Sequence, residues 1–246
     1  MMDSPRWCRP SDLHYPKVWS QFTRTNSDGT TYEFQIQDLP ENLFSKCLDF
    51  MVKYFIADEP LFNCLGFAAD STSVTNLLSC WRKALFDKCT LICTLKNCDS
   101  NETEIVGAYI LYYHHKVHDC DDDCNGKSYR ALFDIVTYME KQDNRYERFC
   151  IDDYLDEFGV SVHPKYRGLG IATELVKARN LLGEALGLKY SFSLCTGIAS
   201  QKACEKMGYK DLVEVKYETL QEVFPHLNVH VKGTPSLRYM YIQHNC

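Results

Sequence analysis

The chain has 246 residues, 45% of them hydrophobic and 24% charged, a balance that fits an ordinary globular protein with ample core for one large domain or two small ones. Its formal net charge of −6 at pH 7 provides no global basic field to draw it to nucleic acid or to an anionic membrane. No apolar run approaches the roughly 18 residues of a transmembrane helix, the opening MMDSPRWCRPSD lacks the apolar stretch of a secretory signal, and the thirteen cysteines follow no small-scaffold spacing, so they read as reduced thiols of a cytoplasmic protein.

Residues 1–30 carry Pro5, Pro10, Pro16 and an NSDG turn, which predict an irregular arm anchored by Trp7 and Trp19. TYEFQIQ alternates as a strand. Asp38 and Pro40 announce a helix, and Phe44, Leu48, Met51 and Phe55 recur at helical spacing behind them. Pro60 disfavours helix at Glu59, so ADEPL reads as the end of this helix and a turn. A second helix is expected from about Ser73 to Asp87, then strands in CTLICTL and EIVGAYILYYHH, then an acidic loop, DCDDDCNGKS.

YRALFDIVTYMEKQDN has helical spacing. YLDEFGVSV is a strand with Phe158, Val160 and Val162 on one face. The helix expected from Gly168 to about Leu186 places Ile171, Leu175, Ala178, Leu182 and Ala185 on one stripe, and Gly187 stops it. YSFSLC is the next strand, SQKACEKMG a short helix, and DLVEVKYE and SLRYMYIQ the closing strands. No repeat or domain boundary interrupts this order, which predicts one mixed α/β domain over residues 31–246.

The informative stretch is VSVHPKYRGLGIATELV, a strand, a glycine-rich turn and a helix. Free N–H groups at a helix N-terminus attract phosphate, and glycine lets the backbone come close. A P-loop would need Gly-Lys-Ser/Thr, but Gly170 is followed by Ile171 and Ala172. A dinucleotide fingerprint would need a third glycine where Thr173 stands. What remains is Arg-x-x-Gly-x-Ala at Arg167, Gly170 and Ala172 behind a Val-x-Val strand.

This motif resembles the acyl-CoA pyrophosphate motif of the GNAT superfamily of N-acyltransferases, and the element order from Thr31 onward agrees. YFIADEPL (54–61), YRGLGIA (166–172) and LCTGIASQKACEKMGY (194–209) look like the signature stretches of the insect arylalkylamine N-acetyltransferases. The resemblance implies a mostly antiparallel sheet flanked by helices, with a V-shaped split where acyl-CoA binds. It implies transfer of an acetyl group from acetyl-CoA to a primary amine of a small molecule, an arylalkylamine or a polyamine- or agmatine-like amine. Protein lysine or N-terminal acetylation, and acyl-CoA binding without catalysis, are the alternatives.

Residue by residue, the resemblance makes Glu59 the general base. Ser161 and Val162, in the strand before the turn, and Arg167, Gly168, Leu169, Gly170, Ile171 and Ala172 in the turn itself would hold acetyl-CoA, with Lys202 near its phosphates. Ser200 matches a serine thought to protonate the leaving thiolate. Its usual partner pair is replaced by Thr196 and Gly197, of which Thr196 keeps a hydroxyl. The plainer role of Ser200 is helix capping, and that of Lys202 is a solvated charge.

His114, His115, His118, Cys120 and Cys124 gather in HHKVHDCDDDC. The composition could hold zinc, but the C-x3-C spacing fits no standard finger, so no metal is expected. Tyr217, Tyr239 and Tyr241 are expected to pack the closing strands or to line an amine pocket. No nucleic-acid or membrane partner is expected, and the chain reads as a monomer.

Overall fold

The computed structural model describes residues 7–96, 103–116 and 125–245. One sheet of eight strands runs, in spatial order, β1 (Val18–Thr25), β2 (Thr31–Asp38), β3 (Leu91–Leu95), β4 (Ile105–His115), β5 (Asp153–Val162), β6 (Tyr190–Cys195), β8 (Ser236–Gln243) and β7 (Lys210–Lys216). Neighbours are antiparallel except β5 and β6, which run parallel and share one paired position, Leu155 with Ser191. From there β5 continues to Val162 bonded to β4 alone. The expected mostly antiparallel sheet with a split is thus present.

Helix α6 (Ile171–Ala185) is the crossover between β5 and β6 and covers one face of the sheet, where Leu175, Ala178 and Leu182 join Phe34, Leu91 and Leu155 in one core. Helices α1 (Phe44–Asp58) and α3 (Ser71–Leu85) cover the other face, where Met51, Trp81, Ile92 and Ile110 pack together. A third cluster lies beneath α4 (Lys127–Gln142) and includes Ile135, Met139, Phe192 and Leu237.

The structure departs from the sequence reading in several places; one is that Phe158 packs with the core under α1 and α3 while Val160 and Val162 pack with the core under α6, because a bulge in β5 intervenes. The arm is not irregular throughout: β1 lies inside it and forms the sheet edge against β2. Trp19 is anchored as expected, its indole N–H donating to Asp38 at 2.7 Å, and Trp7 stacks on Tyr113 with ring centroids 4.5 Å apart. ADEPL is a junction of two helices rather than a plain turn, because Pro60 occupies the first position of α2 (Pro60–Cys64), where its missing N–H costs nothing. A short helix α5 (Arg145–Phe149) follows α4, capped by Asn144. The strand expected through Glu218 stops at Lys216, and Tyr217 opens α8 (Tyr217–Val223), whose Leu220 is buried. Helix α7 (Ile198–Lys206) lies where a short helix was expected.

The base of the split is held by one side chain. Arg179, on the sheet-facing side of α6, is fully buried. Its Nη2 donates to the Leu155 carbonyl of β5 at 2.9 Å and also to the Phe192 carbonyl of β6. Its Nη1 donates to the Tyr109 hydroxyl at 2.7 Å and to the Ser193 hydroxyl. Where the strands diverge these carbonyls lack the N–H partners of a continued ladder, and the guanidinium satisfies both. Glu157, beside the same group, has its carboxyl pushed up to about 7 because burial outweighs the attraction of Arg179.

Replacing Arg179 with Met removes this fork and leaves the buried carbonyls unpaired. Each such group costs about 1–3 kcal/mol, so urea unfolding of Arg179→Met should show a loss of about 3 kcal/mol or more. A midpoint equal to that of the wild type would show that the split is held by other means.

Candidate active site

The glycine turn opens α6 as the sequence implied, with the helix beginning at Ile171 rather than Gly168. Gly168 and Gly170 have φ of +81° and +77°, a left-handed backbone that other residues adopt only at a cost. A side chain at Gly168 would meet nothing within 4 Å, and one at Gly170 only the Arg24 guanidinium at 3.9 Å, so the turn faces open space. The first intrahelical bond runs from Glu174 N–H to Gly170 O. The N–H groups of Ile171, Ala172 and Thr173 therefore remain free at the positive end of the helix dipole. An anion fits there without rearrangement.

The strand leading into the turn is bulged. Tyr109 pairs with Val160 and Leu111 with Glu157, so β5 spends one residue more than β4 over this interval. Gly159, φ +110°, sits in the bulge, and a side chain there would lie 2.3 Å from the Phe55 ring, so α1 lies directly against the strand. Beyond the bulge, His163 N–H bonds Val106 O at 2.8 Å. By alternation, Ser161 directs its backbone groups to β4, whereas Val160 and Val162 direct theirs into the split. There the Val162 carbonyl accepts from Arg167 Nε at 3.0 Å. Arg167 also donates to Asp58 at 2.5 Å, which ties the turn to the end of α1.

Glu59 stands between α1 and α2 and caps α2. Its Oε2 accepts from the Phe62 N–H at 2.5 Å and its Oε1 from the Thr196 hydroxyl. The Thr196 carbonyl in turn accepts from the Tyr217 hydroxyl at 2.6 Å. Glu59 is 7% exposed. Burial raises its pKa above the usual carboxylate value, opposed by the hydrogen bonds from Thr196 and Phe62. A buried carboxylate held by two donors, its pKa raised by burial, is equipped to take up a proton more readily than a solvated one.

These parts share one cavity of about 1130 Å³. Arg167, Gly168 and Gly170 of the glycine turn, Phe133, Glu140 and Lys141 of α4, and Lys116 and Lys206 are exposed members of its lining. Glu59, Thr196 and Gly159 line it, between walls of Phe55, Phe62, Leu77, Tyr112, Tyr129 and Phe158.

Of the residues singled out from the sequence, Glu59, Thr196, Ser200, Ser161, Val162, Arg167, Gly168, Gly170, Ile171 and Ala172 line this cavity; Leu169 and Lys202 do not. Ser200 is not a helix cap: it lies inside α7, and its hydroxyl donates to Gly197 O at 2.8 Å. At Gly197, where a serine was expected, a side chain would approach Pro60 Cγ to 3.2 Å. Tyr239 lines the cavity, Tyr217 supports Thr196, and Tyr241 packs on Phe149 with ring centroids 4.8 Å apart.

Sequence reasoning missed Lys206, Asp156, Arg145 and Glu140, which reach the cavity from four elements. Asp156, Glu140 and Lys206 lie within stretches already quoted, and none carries a motif of its own. Cys47, Cys64, Cys89, Cys93, Cys150, Cys195 and Cys204 are free thiols. No grouping among the described residues is suited to a metal; His118, Cys120 and Cys124 lie outside them. No helix among the described residues is long and apolar enough to cross a membrane.

Comparison with known proteins agrees with this geometry. The putative arylalkylamine N-acetyltransferase 7 of the yellow fever mosquito is 31% identical, with a TM-score of 0.88 over 97% of this chain and 99% of that one. Arylalkylamine N-acetyltransferase 2 of Aedes aegypti, at 18% identity, shares the fold with a TM-score of 0.75 over 86% of this chain and 99% of that one. Drosophila melanogaster polyamine N-acetyltransferase, which forms N-acetylagmatine, does so at 15% identity and a TM-score of 0.64, over 85% and 99%. Residues 81–209 match the Acetyltransferase (GNAT) family, and with its split sheet, glycine turn and mosquito relative the chain belongs to that family as an N-acetyltransferase.

Proposed function

We propose that this chain acetylates the primary amine of a small molecule, with Glu59 as the general base. The observation that carries the reading is the meeting of a buried, raised-pKa carboxylate and an open glycine turn in one cavity. Enclosure between aromatic walls favours a small amine over a peptide. The mosquito relative's name, arylalkylamine N-acetyltransferase, supports the same class.

An alkylammonium has a pKa of about 10, so about one molecule in a thousand is neutral at pH 7. A base must therefore take the proton, and Glu59 does so, directly or through one water. Thr196 fixes the orientation of the carboxylate and, through Tyr217, is itself fixed. Acetyl-CoA supplies the acetyl group as a thioester. The free N–H groups of Ile171, Ala172 and Thr173 hold its pyrophosphate, with Gly168 and Gly170 giving the approach and Arg167 and Lys206 supplying positive charge from the cavity lining. The backbone N–H groups that Val160 and Val162 turn into the split stabilise charge developing on the carbonyl oxygen.

Thr196 donates to Glu59 and Ser200 to the Gly197 carbonyl, so Ser200 serves the leaving thiol by redirecting that hydroxyl. That role is light, since a thiol's pKa of about 8.5 makes it a ready leaving group. Lys206 replaces Lys202 in this assignment, one turn further along α7 and in the cavity lining.

Glu59→Ala should lower turnover by about 100-fold or more while leaving acetyl-CoA affinity close to that of the wild type. Wild-type rates should rise through a group titrating above the usual carboxylate range, because the base works only when ionised and burial raises its pKa. In the variant, rates should instead follow the amine's own deprotonation upward in pH. A near-wild-type rate at neutral pH would exclude Glu59, and Asp58 would be the next carboxylate to replace. For the turn, Gly170→Val strains a backbone at φ +77° and crowds the cradle. Calorimetry should show acetyl-CoA affinity reduced at least tenfold, and an unchanged affinity would place the cradle elsewhere.

A further inference from the structure

The N-terminal arm takes no part in the transfer chemistry, and none of its described residues lines the cavity. It is nevertheless held firmly. Asp38, fully buried at the end of β2, accepts from Arg9 Nη2 at 2.8 Å, from the Lys17 N–H at 2.9 Å and from the Trp19 indole at 2.7 Å. From there β1 pairs with β2 in unbroken register from Ser20 to Thr25, with Arg24 opposite Tyr32. The far end of this strand lies against the start of α6.

Arg24 makes that contact. Its guanidinium lies over the Phe22 ring, 4.9 Å from the centroid, and Nη1 donates to Thr23 O at 3.0 Å. Nη2 donates to Glu174 Oε1 at 2.7 Å. Nε stands 3.9 Å from the point where a side chain at Gly170 would begin. One planar group therefore spans the N-cap and the first turn of α6.

Glu174 is the acidic residue of that turn. Side chains on a helix lean toward its N-terminus, so this carboxylate reaches back beside Gly170, where Arg24 meets it. A carboxylate there draws on the same positive helix end that would serve a phosphate, and it repels one. Among the described residues Arg24 is the one cation paired with Glu174. Arg167, the arginine of the turn itself, is committed to Val162 O and Asp58. The Arg24–Glu174 pair is partly exposed, at 39% and 19%, and adds little to stability. Its consequence is the potential over the glycine turn.

We infer that Arg24 is a positioning residue for the acyl-CoA site. It neutralises Glu174, so that the N–H groups of Ile171, Ala172 and Thr173 present their positive charge undiminished to a diphosphate. The arm is thereby part of the cofactor site without lining the cavity. This rests on the acetyl-transfer reading above and concerns its glycine turn.

The test is calorimetry of CoA binding at low ionic strength in wild type, Arg24→Gln, Glu174→Gln and the double variant, which needs no turnover. Arg24→Gln should weaken CoA by about fivefold, the upper range for one charge at a helix end. Glu174→Gln should not weaken it. Adding Arg24→Gln to Glu174→Gln should change the affinity by less than about twofold, because the two residues act as one unit. Arg24→Lys should keep most of the wild-type affinity. The loss in Arg24→Gln should fade at about 0.5 M salt, where exposed charges are screened. A wild-type affinity in Arg24→Gln overturns the inference. So does an equal loss with Glu174 present and replaced, which would make Arg24 a direct phosphate ligand, and so does a loss that survives high salt, which would mark a packing defect. These outcomes leave acetyl transfer intact. Absence of CoA binding to the wild type contradicts the transfer reading itself, and this inference falls with it.

Discussion

Everything in this site follows from the separation of two adjacent parallel strands. β5 and β6 meet at one position and then part, which leaves backbone polar groups unpaired inside the molecule. Such groups must find partners, and the protein divides the task. At the base, Arg179 bonds a carbonyl from each strand. Along the opening, β4 bonds one edge of β5 and the other edge remains available to a ligand. The glycine turn at the upper end is held by neighbours on both sides. Arg24 of β1 bonds Glu174 on the first turn of α6 at 2.7 Å, and Arg167 bonds Asp58 at the end of α1. Exposed pairs of this kind add little stability, but they link the cofactor turn to the helix that ends at the proposed base.

Glu59 owes its position to a helix junction. Pro60 ends α1 because the residue before a proline resists the helical conformation, and it begins α2 because that position needs no N–H. The carboxylate caps the second helix, a role that by itself would favour the ionised form. Burial opposes this and prevails. Thr196 adds a side-chain hydrogen bond to the same group, and Gly197 lets the start of α7 approach Pro60 closely enough for that bond to form. Threonine supplies a hydroxyl to the carboxylate, and glycine removes bulk beside the proline.

Much of this was legible in the sequence, because the relevant signals are local. A strand, two glycines and an amphipathic helix specify the cradle by backbone chemistry alone. Asp-Glu-Pro-Leu marks a helix boundary wherever it occurs, and the resemblance of the surrounding stretches supplied its role. The arm was harder. Its prolines and the NSDG turn announce irregularity, and β1 becomes a strand by pairing with β2 rather than by its own composition. Tyr217 looks like a strand residue but opens α8, where its hydroxyl donates to the Thr196 carbonyl across the fold. Lys202 and Lys206 are alike in sequence, and only the turn of α7 decides which of them meets the cavity. Arg179 and Arg145 read as ordinary helical arginines, and their burial depends wholly on what the sheet places opposite them.

A cavity lined both by the glycine turn and by α4 suits a reaction in which both substrates are held together before the transfer. The most direct measurement is therefore a single turnover with enzyme in excess over acetyl-CoA and a panel of small amines and peptides, followed by mass spectrometry. The account predicts one N-acetylated small amine and one free thiol for each acetyl-CoA consumed, with peptides unreacted. Tight acetyl-CoA binding with no acetylated product, or acetylation of peptides in preference to small amines, would contradict it.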